Sequence, residues 1–149
     1  MDPITAIGAV ASIVQLAQLA LSLSKAIYGI GNAIASASDD LRNLADDLSQ
    51  FSQSLTVLSR MLEDSKSCYT DEIYLMTAKI IKDCADLYVK VDNILKKLSR
   101  RGSNSLRTRF KFVAKESEIK RLMQRLRDMK GTLQTILTTL QVDLSLSIL

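Results

Sequence analysis

The sequence contains no histidine and no tryptophan, one proline, five glycines and two cysteines in 149 residues. Without histidine there is no imidazole for general acid–base work, for a Ser–His or Cys–His nucleophile, or for ligating a metal. Cys68 and Cys84 are too few to hold zinc alone. The start, Met1-Asp2-Pro3, lacks the basic stretch of a secretory signal. Two reduced, inert thiols in an intracellular compartment are therefore expected. No glycine loop of the phosphate-cradling type is present. The paired carboxylates Asp39/Asp40 and Asp46/Asp47 read as a helix start and a solvated face. The chain is expected to be no enzyme and to carry no cofactor and no metal site.

The shortage of glycine and proline also bears on fold. An all-β chain needs turn residues every few positions, and they are missing here. Apolar residues make up 47% of the chain, enough for one domain over 1–149 with its own core. Charge is unevenly placed. Residues 1–64 carry three basic and seven acidic groups, a net of −4, whereas 65–149 carry seventeen and nine, a net of +8.

From Pro3 to Ser24 no residue is charged. Such a run is long enough to cross a bilayer, but Thr5, Ser12, Gln15, Gln18 and Ser22 dilute it. On a helical wheel these fall on one side with Lys25. Val10, Ile13, Val14, Leu16, Leu21, Leu23 and Ile27 cover the other, and Ile4, Ile7 and Leu19 intrude among the polar positions. A helix apolar nearly all round belongs in a core or in a membrane. Val10, Ile13, Val14, Leu16 and Leu21 are expected to be buried in the resting protein. Asp2 suits the cap and Pro3 the first turn, and Gly29 and Gly31 are expected to weaken, kink or end the helix.

Three amphipathic helices follow. Ser38-Asp39-Asp40 is a start signal, and Leu41, Leu44, Leu48, Phe51, Leu55, Leu58 and Leu62 repeat at alternating steps of 3 and 4 over a helix of about 39–64. Asp64–Tyr69 reads as a loop. Thr70-Asp71-Glu72 starts a helix with a stripe of Ile73, Met76 (Leu75 beside it), Ile80, Cys84, Leu87, Val91, Ile94 and Leu98, running to Ser99 or Arg100. Gly102 and a Ser/Asn cluster mark Arg100–Ser105 as a linker. A last helical region begins near Ser105 or Leu106. A short separate turn at Phe110, Phe112 and Val113 is expected before a new start at Ser117 and Glu118. Ile119, Leu122, Leu126, Met129, Leu133, Ile136 and Leu140 then repeat the spacing, and Val142–Leu149 is ambiguous. The fold expected is all-α: an antiparallel bundle of four to five helices with the apolar N-terminal helix in its middle, meeting every stripe.

Within 96–115 stand eight basic residues and no acid: Lys96, Lys97, Arg100, Arg101, Arg107, Arg109, Lys111 and Lys115. The block reads either as a solvated loop and helix end or as a site for anionic lipid, where each cation near a charged membrane contributes about 1 kcal/mol. Nucleic acid is not expected as a partner, because no recognisable binding motif surrounds Phe110 and Phe112.

Met1-Asp2-Pro3-Ile4 followed by Ile7-Gly8-Ala9-Val10-Ala11-Ser12-Ile13-Val14-Gln15-Leu16 resembles the opening of the HeLo-like N-terminal domains of fungal STAND (NACHT/NB-ARC-type) NTPase receptors. The resemblance continues in Leu41-Arg42-Asn43-Leu44 with the spaced leucines to Leu62. It returns in Lys111-Phe112-Val113-Ala114-Lys115 leading into Ile119, Leu122, Leu126, Lys130 and Leu133. It covers about 1–142, and its motifs are degenerate. It implies a bundle that executes or relays programmed cell death in an innate-immune or heterokaryon-incompatibility receptor. The bundle of the animal necroptosis pseudokinase is similar in architecture and role. The partners so implied are anionic membrane lipids, further copies of the chain, and a nucleotide-binding module in cis or trans. The location implied is cytoplasmic at rest and plasma membrane when activated. The sequence ends at Leu149 without an NTPase module, which leaves an excised domain or a stand-alone relative. The first helix, through Ile4, Ile7, Val10, Ile13, Val14, Leu16, Leu21 and Leu23, would be the part that enters the membrane. A protein-interaction adaptor that never enters lipid is the competing expectation.

Overall fold

The computed structural model describes the backbone of residues 3–33, 38–64, 70–99 and 106–148, and side chains within 8–30, 39–64, 70–98, 116–142 and 145–146. Among the described residues there are four helices and no strand: α1 (Pro3–Ala33), α2 (Ser38–Asp64), α3 (Asp71–Ser99) and α4 (Leu106–Ile148).

The starts of α1 to α3 fall where the sequence signals them. Pro3 opens α1, and Asp39 and Asp40 occupy the first turn of α2. Thr70 caps α3: its Oγ1 accepts from the Ile73 N–H at 3.3 Å while its carbonyl takes the first helical bond from Tyr74 N–H. Two expectations are corrected. Gly29 and Gly31 neither end nor divide α1, which continues to Ala33. A helical glycine costs about 1 kcal/mol relative to alanine, and burial of Ile27, with Tyr28 and Ile30 packed on the core, outweighs it. The separate turn at Phe110–Val113 is absent, since α4 is one helix from 106 to 148. No glycine or proline interrupts Leu106–Lys130, so Ser117 is carried through as an interior helical residue. The expected loop at 65–69, the cap at Asp2 and the linker at 100–105 lie outside the described residues.

Cross-helix contacts give the topology. Ser24 meets Ala45 and Ser52 meets Ala17, so α1 and α2 run antiparallel. Asp86 meets Arg125, and Val91 and Leu95 gather with Leu122, so α3 and α4 also run antiparallel. Tyr88 meets Leu16, and Gly8–Ser12 line a pocket with Tyr74–Ile81, which makes α1 and α3 parallel neighbours. Asp47 with Arg127 and Gln50 with Lys130 do the same for α2 and α4. The bundle is thus two antiparallel hairpins laid side by side. The apolar helix contributes to the core but takes a corner: α1 packs against α2 and α3 and lies diagonal to α4, with α1–α2 the most extensive interface. The three heptad stripes all point inward, and Phe51, Leu48, Leu55, Leu87, Leu133 and Ile136 are wholly buried. Within the α3 stripe Leu75 is exposed and Met76 half-buried.

Candidate functional site

α1 and the basic end of the bundle are the two features with functional potential. The buried line on α1 runs through Ala9, Ile13, Leu16, Ala17, Ala20, Ser24 and Ile27. Val10 and Leu23 are half-buried, and Ile4 and Ile7 lie outside the described side chains. Val14 and Leu21, expected in the core, are 39% and 41% exposed. The reason is steric. α1 approaches α2 through small residues, Ala17, Ala20 and Ser24 against Ala45 and Ser52, and at close approach the larger side chains are displaced to the flanks. The expected polar side is outward: Gln15, Gln18, Ser22 and Lys25 are exposed and Ser12 is half-buried.

Three hydroxyls bind α1 to its neighbours. Ser52 Oγ donates to Ala17 O at 2.7 Å, Tyr88 Oη to Leu16 O at 3.0 Å, and Ser24 Oγ to Ala45 O at 2.7 Å, all in the interior. Cys84 lies beside the Tyr88 hydroxyl, and burial pushes its thiol up to about 12 from 9.0, with the Asp83 charge adding to the rise. Burial likewise raises the Tyr88 hydroxyl, and the neighbouring Cys84 contributes. The inert thiol expected for Cys84 thus has a cause; Cys68 lies outside the described residues. Nothing in the heptad reading singled out Ser24, Ser52 or Tyr88. The available signal was small residues on α1 at steps of three and four, Ala17, Ala20 and Ser24, with Ala45 and Ser52 seven apart on α2.

Polar braces fix α4. Arg125 Nη1 reaches Asp86 Oδ2 at 2.7 Å, with Lys90 Nζ on the same oxygen at 3.5 Å. The Arg125 hydrogen bond holds the Asp86 carboxyl below its usual range, aided by the Lys90 charge. Lys130 Nζ donates to Gln50 Oε1 at 3.0 Å. Arg127 Nε stands 3.9 Å from Asp47 Oδ2, close enough for charge attraction but too far for a hydrogen bond, so that buried oxygen has no donor. A pocket of about 370 Å³ opens between α1 and α3, lined by Gly8, Ala9, Ser12, Tyr74, Thr77, Ala78 and Ile81. No lining side chain is charged, and the buried Thr77 hydroxyl has no partner.

Six of the eight cations of 96–115 divide between two helices. Lys96 and Lys97 are exposed on the last turn of α3, where the helix dipole favours them. Lys96 pairs with Asp92 at 2.9 Å. Arg107, Arg109, Lys111 and Lys115 are on the first turns of α4, and their side chains, like Arg100 and Arg101, lie outside the described residues. Because α3 and α4 are antiparallel neighbours, these two helix ends share one end of the bundle. Ile27, Leu41, Leu44, Val91, Ile94, Leu95 and Leu122 converge there, so the end of α1 and the start of α2 are at that end too.

With this geometry in view, residues 1–147 match the N-terminal domain family described as pigment biosynthesis cluster protein PigL N-terminal. The chain belongs to this family. It is a family of N-terminal domains related to the HeLo-like group. Neither curated proteins nor solved structures gave a match.

Proposed function

We propose that this domain is a membrane-directed, non-catalytic signalling module of the cell-death type, in which the basic end docks on anionic lipid and α1 leaves the bundle to enter the bilayer. The observation that carries the reading is the outer face of α1. The segment Gly8–Ile30 is long and apolar enough to span a membrane, yet only 33% of the 18-residue apolar stretch within it is buried in the bundle. A helix that served only as core would be mostly buried or would carry charge where it meets water. Lys25 is the one charged residue of that segment, whereas α2 carries eight over a similar length. α1 thus faces water with a surface that also suits lipid.

The charge on α4 supports the same reading. Arg107 and Arg109 lie in its first turn, which holds no acid. Cations at a helix N-terminus oppose the macrodipole at roughly 0.3–1 kcal/mol each, and an anionic surface offsets that cost. The end of α1 and the start of α2 are at the same end, so α1 in a docked domain would pivot next to the bilayer. A resting state in the cytoplasm, self-association at the membrane and control by a nucleotide-binding module complete the proposal.

Vesicle leakage tests it. The protein should bind and permeabilise vesicles containing anionic phospholipid, weakly so at ~1 M salt, where the Debye length falls to ~3 Å. It should spare neutral vesicles. Folded protein that binds no vesicle of either kind would leave the adaptor role in its place.

A further inference from the structure

We infer that Ser24, Ser52 and Tyr88 form a reversible catch on α1, with two of its three bonds able to switch acceptor rather than be lost when the helix leaves. The purpose of the catch rests on the proposed release of α1; its existence does not.

Elsewhere in this bundle Thr56, Thr132, Thr135, Thr139 and Ser145 each donate back to the carbonyl four residues earlier in their own helix, at 2.9–3.3 Å. This is the ordinary local bond of a helical Ser or Thr. Ser24 and Ser52 depart from it. Both hydroxyls turn across the α1–α2 interface to the partner helix at 2.7 Å. If α1 withdraws, each has an acceptor one turn back, Ala20 O for Ser24 and Leu48 O for Ser52. Neither serine hydroxyl is then stranded, and for these two the usual penalty for an unpaired polar group does not oppose opening. Tyr88 has no backbone alternative: its ring holds the hydroxyl away from its own main chain, so its bond to Leu16 O at 3.0 Å is made with α1 in place and lost without it, leaving the weak acceptor sulfur of Cys84 beside it.

The bonds also sit where they matter. Leu16 and Ala17 are consecutive carbonyls at the middle of α1, one held from α3 and the other from α2. Ser24 holds a point two turns further on. All three act on main chain or on a small side chain, so the catch grips α1 without adding charge to a helix that lipid must accept.

Native-state hydrogen exchange on the free protein, without lipid, tests the catch. Tyr88→Phe, Ser52→Ala and Ser24→Ala each delete one oxygen and leave packing intact. Each should speed exchange of α1 amides in residues 13–27 by about 2- to 13-fold, the range that an ordinary net hydrogen bond implies. Amides of α4 in residues 122–140 should stay at the wild-type rate. Tyr88→Phe should have the largest effect, because its bond to Leu16 O has no backbone replacement and the Cys84 sulfur is only a weak acceptor. Unchanged α1 exchange in all three variants, or equal acceleration in α1 and α4, overturns the inference. The same variants in the leakage assay separate it from the functional reading: faster α1 opening with unchanged leakage upholds the catch and contradicts release as the membrane step.

Discussion

At the scale of single residues, burial and partner decide each expected effect. Thr77 is wholly buried with an unpaired hydroxyl. Thr77→Val replaces that hydroxyl with a methyl of similar size and should stabilise the fold by about 1–2 kcal/mol, read as a higher urea midpoint. Phe51 is the largest wholly buried side chain, and Phe51→Ala should cost about 3–5 kcal/mol by the same measurement. Cys84 sets a pH limit. Its folded value near 12 lies above the unfolded 9.0, so its contribution is complete below about pH 9 and is lost as pH rises toward 12. Asp86 acts in the opposite sense: its folded value lies below 3.8, so its contribution is present above that and falls away in acid. In a Cys68→Ser background, the Cys84 thiol should resist alkylation at pH 8 in the native protein and react at once in denaturant. Rapid native alkylation would show that the α1–α3 seam opens far more readily than its packing implies.

At the scale of the helix, α2 and the second half of α4 were legible from spacing alone. Every residue of the 41–62 and 119–140 stripes is buried, because charged residues mark the wet faces on either side. α1 was legible as an apolar helix but not in its orientation. With one charge in 23 residues, size was the remaining guide, and size misleads where helices approach closely: Ala17, Ala20 and Ser24 are buried while Val14 and Leu21 are not. The local start signal at Ser117 failed for a different reason, since a capping residue does not break a helix that its neighbours continue. The outward position of Gln15 makes a selective variant possible. Gln15→Glu should leave the melting temperature within a degree or two, yet a carboxylate near the bilayer centre costs ~2.5 kcal/mol or more, so vesicle leakage should drop sharply. Equal leakage from a folded Gln15→Glu protein would remove α1 from the membrane step.

At the scale of the molecule, the sequence called for three amphipathic helices and one apolar helix to be packed together, and the bundle does so. What it did not reveal was which helices are neighbours. Heptad stripes state which side is apolar but not against which partner. The pairing of α1 with α3 rather than α4 depends on contacts such as Tyr88 with Leu16, seventy-two residues apart. The candidate site divides the same way. The basic block and the apolar helix were legible as composition, while the placing of the end of α1 and the start of α2 at the basic end of the bundle required the fold. The central claim is that α1 must leave α2 for the domain to act on membrane. Ala17 and Ser52, joined at 2.7 Å in the resting structure, offer the means to test it. Ala17→Cys and Ser52→Cys together, in a background with Cys68 and Cys84 replaced by Ser and Ala, should form a disulfide that ties α1 to α2. The oxidised protein should bind anionic vesicles as well as wild type and release none of their contents, and reduction should restore leakage. Leakage from the fully oxidised protein at the wild-type rate would contradict the account.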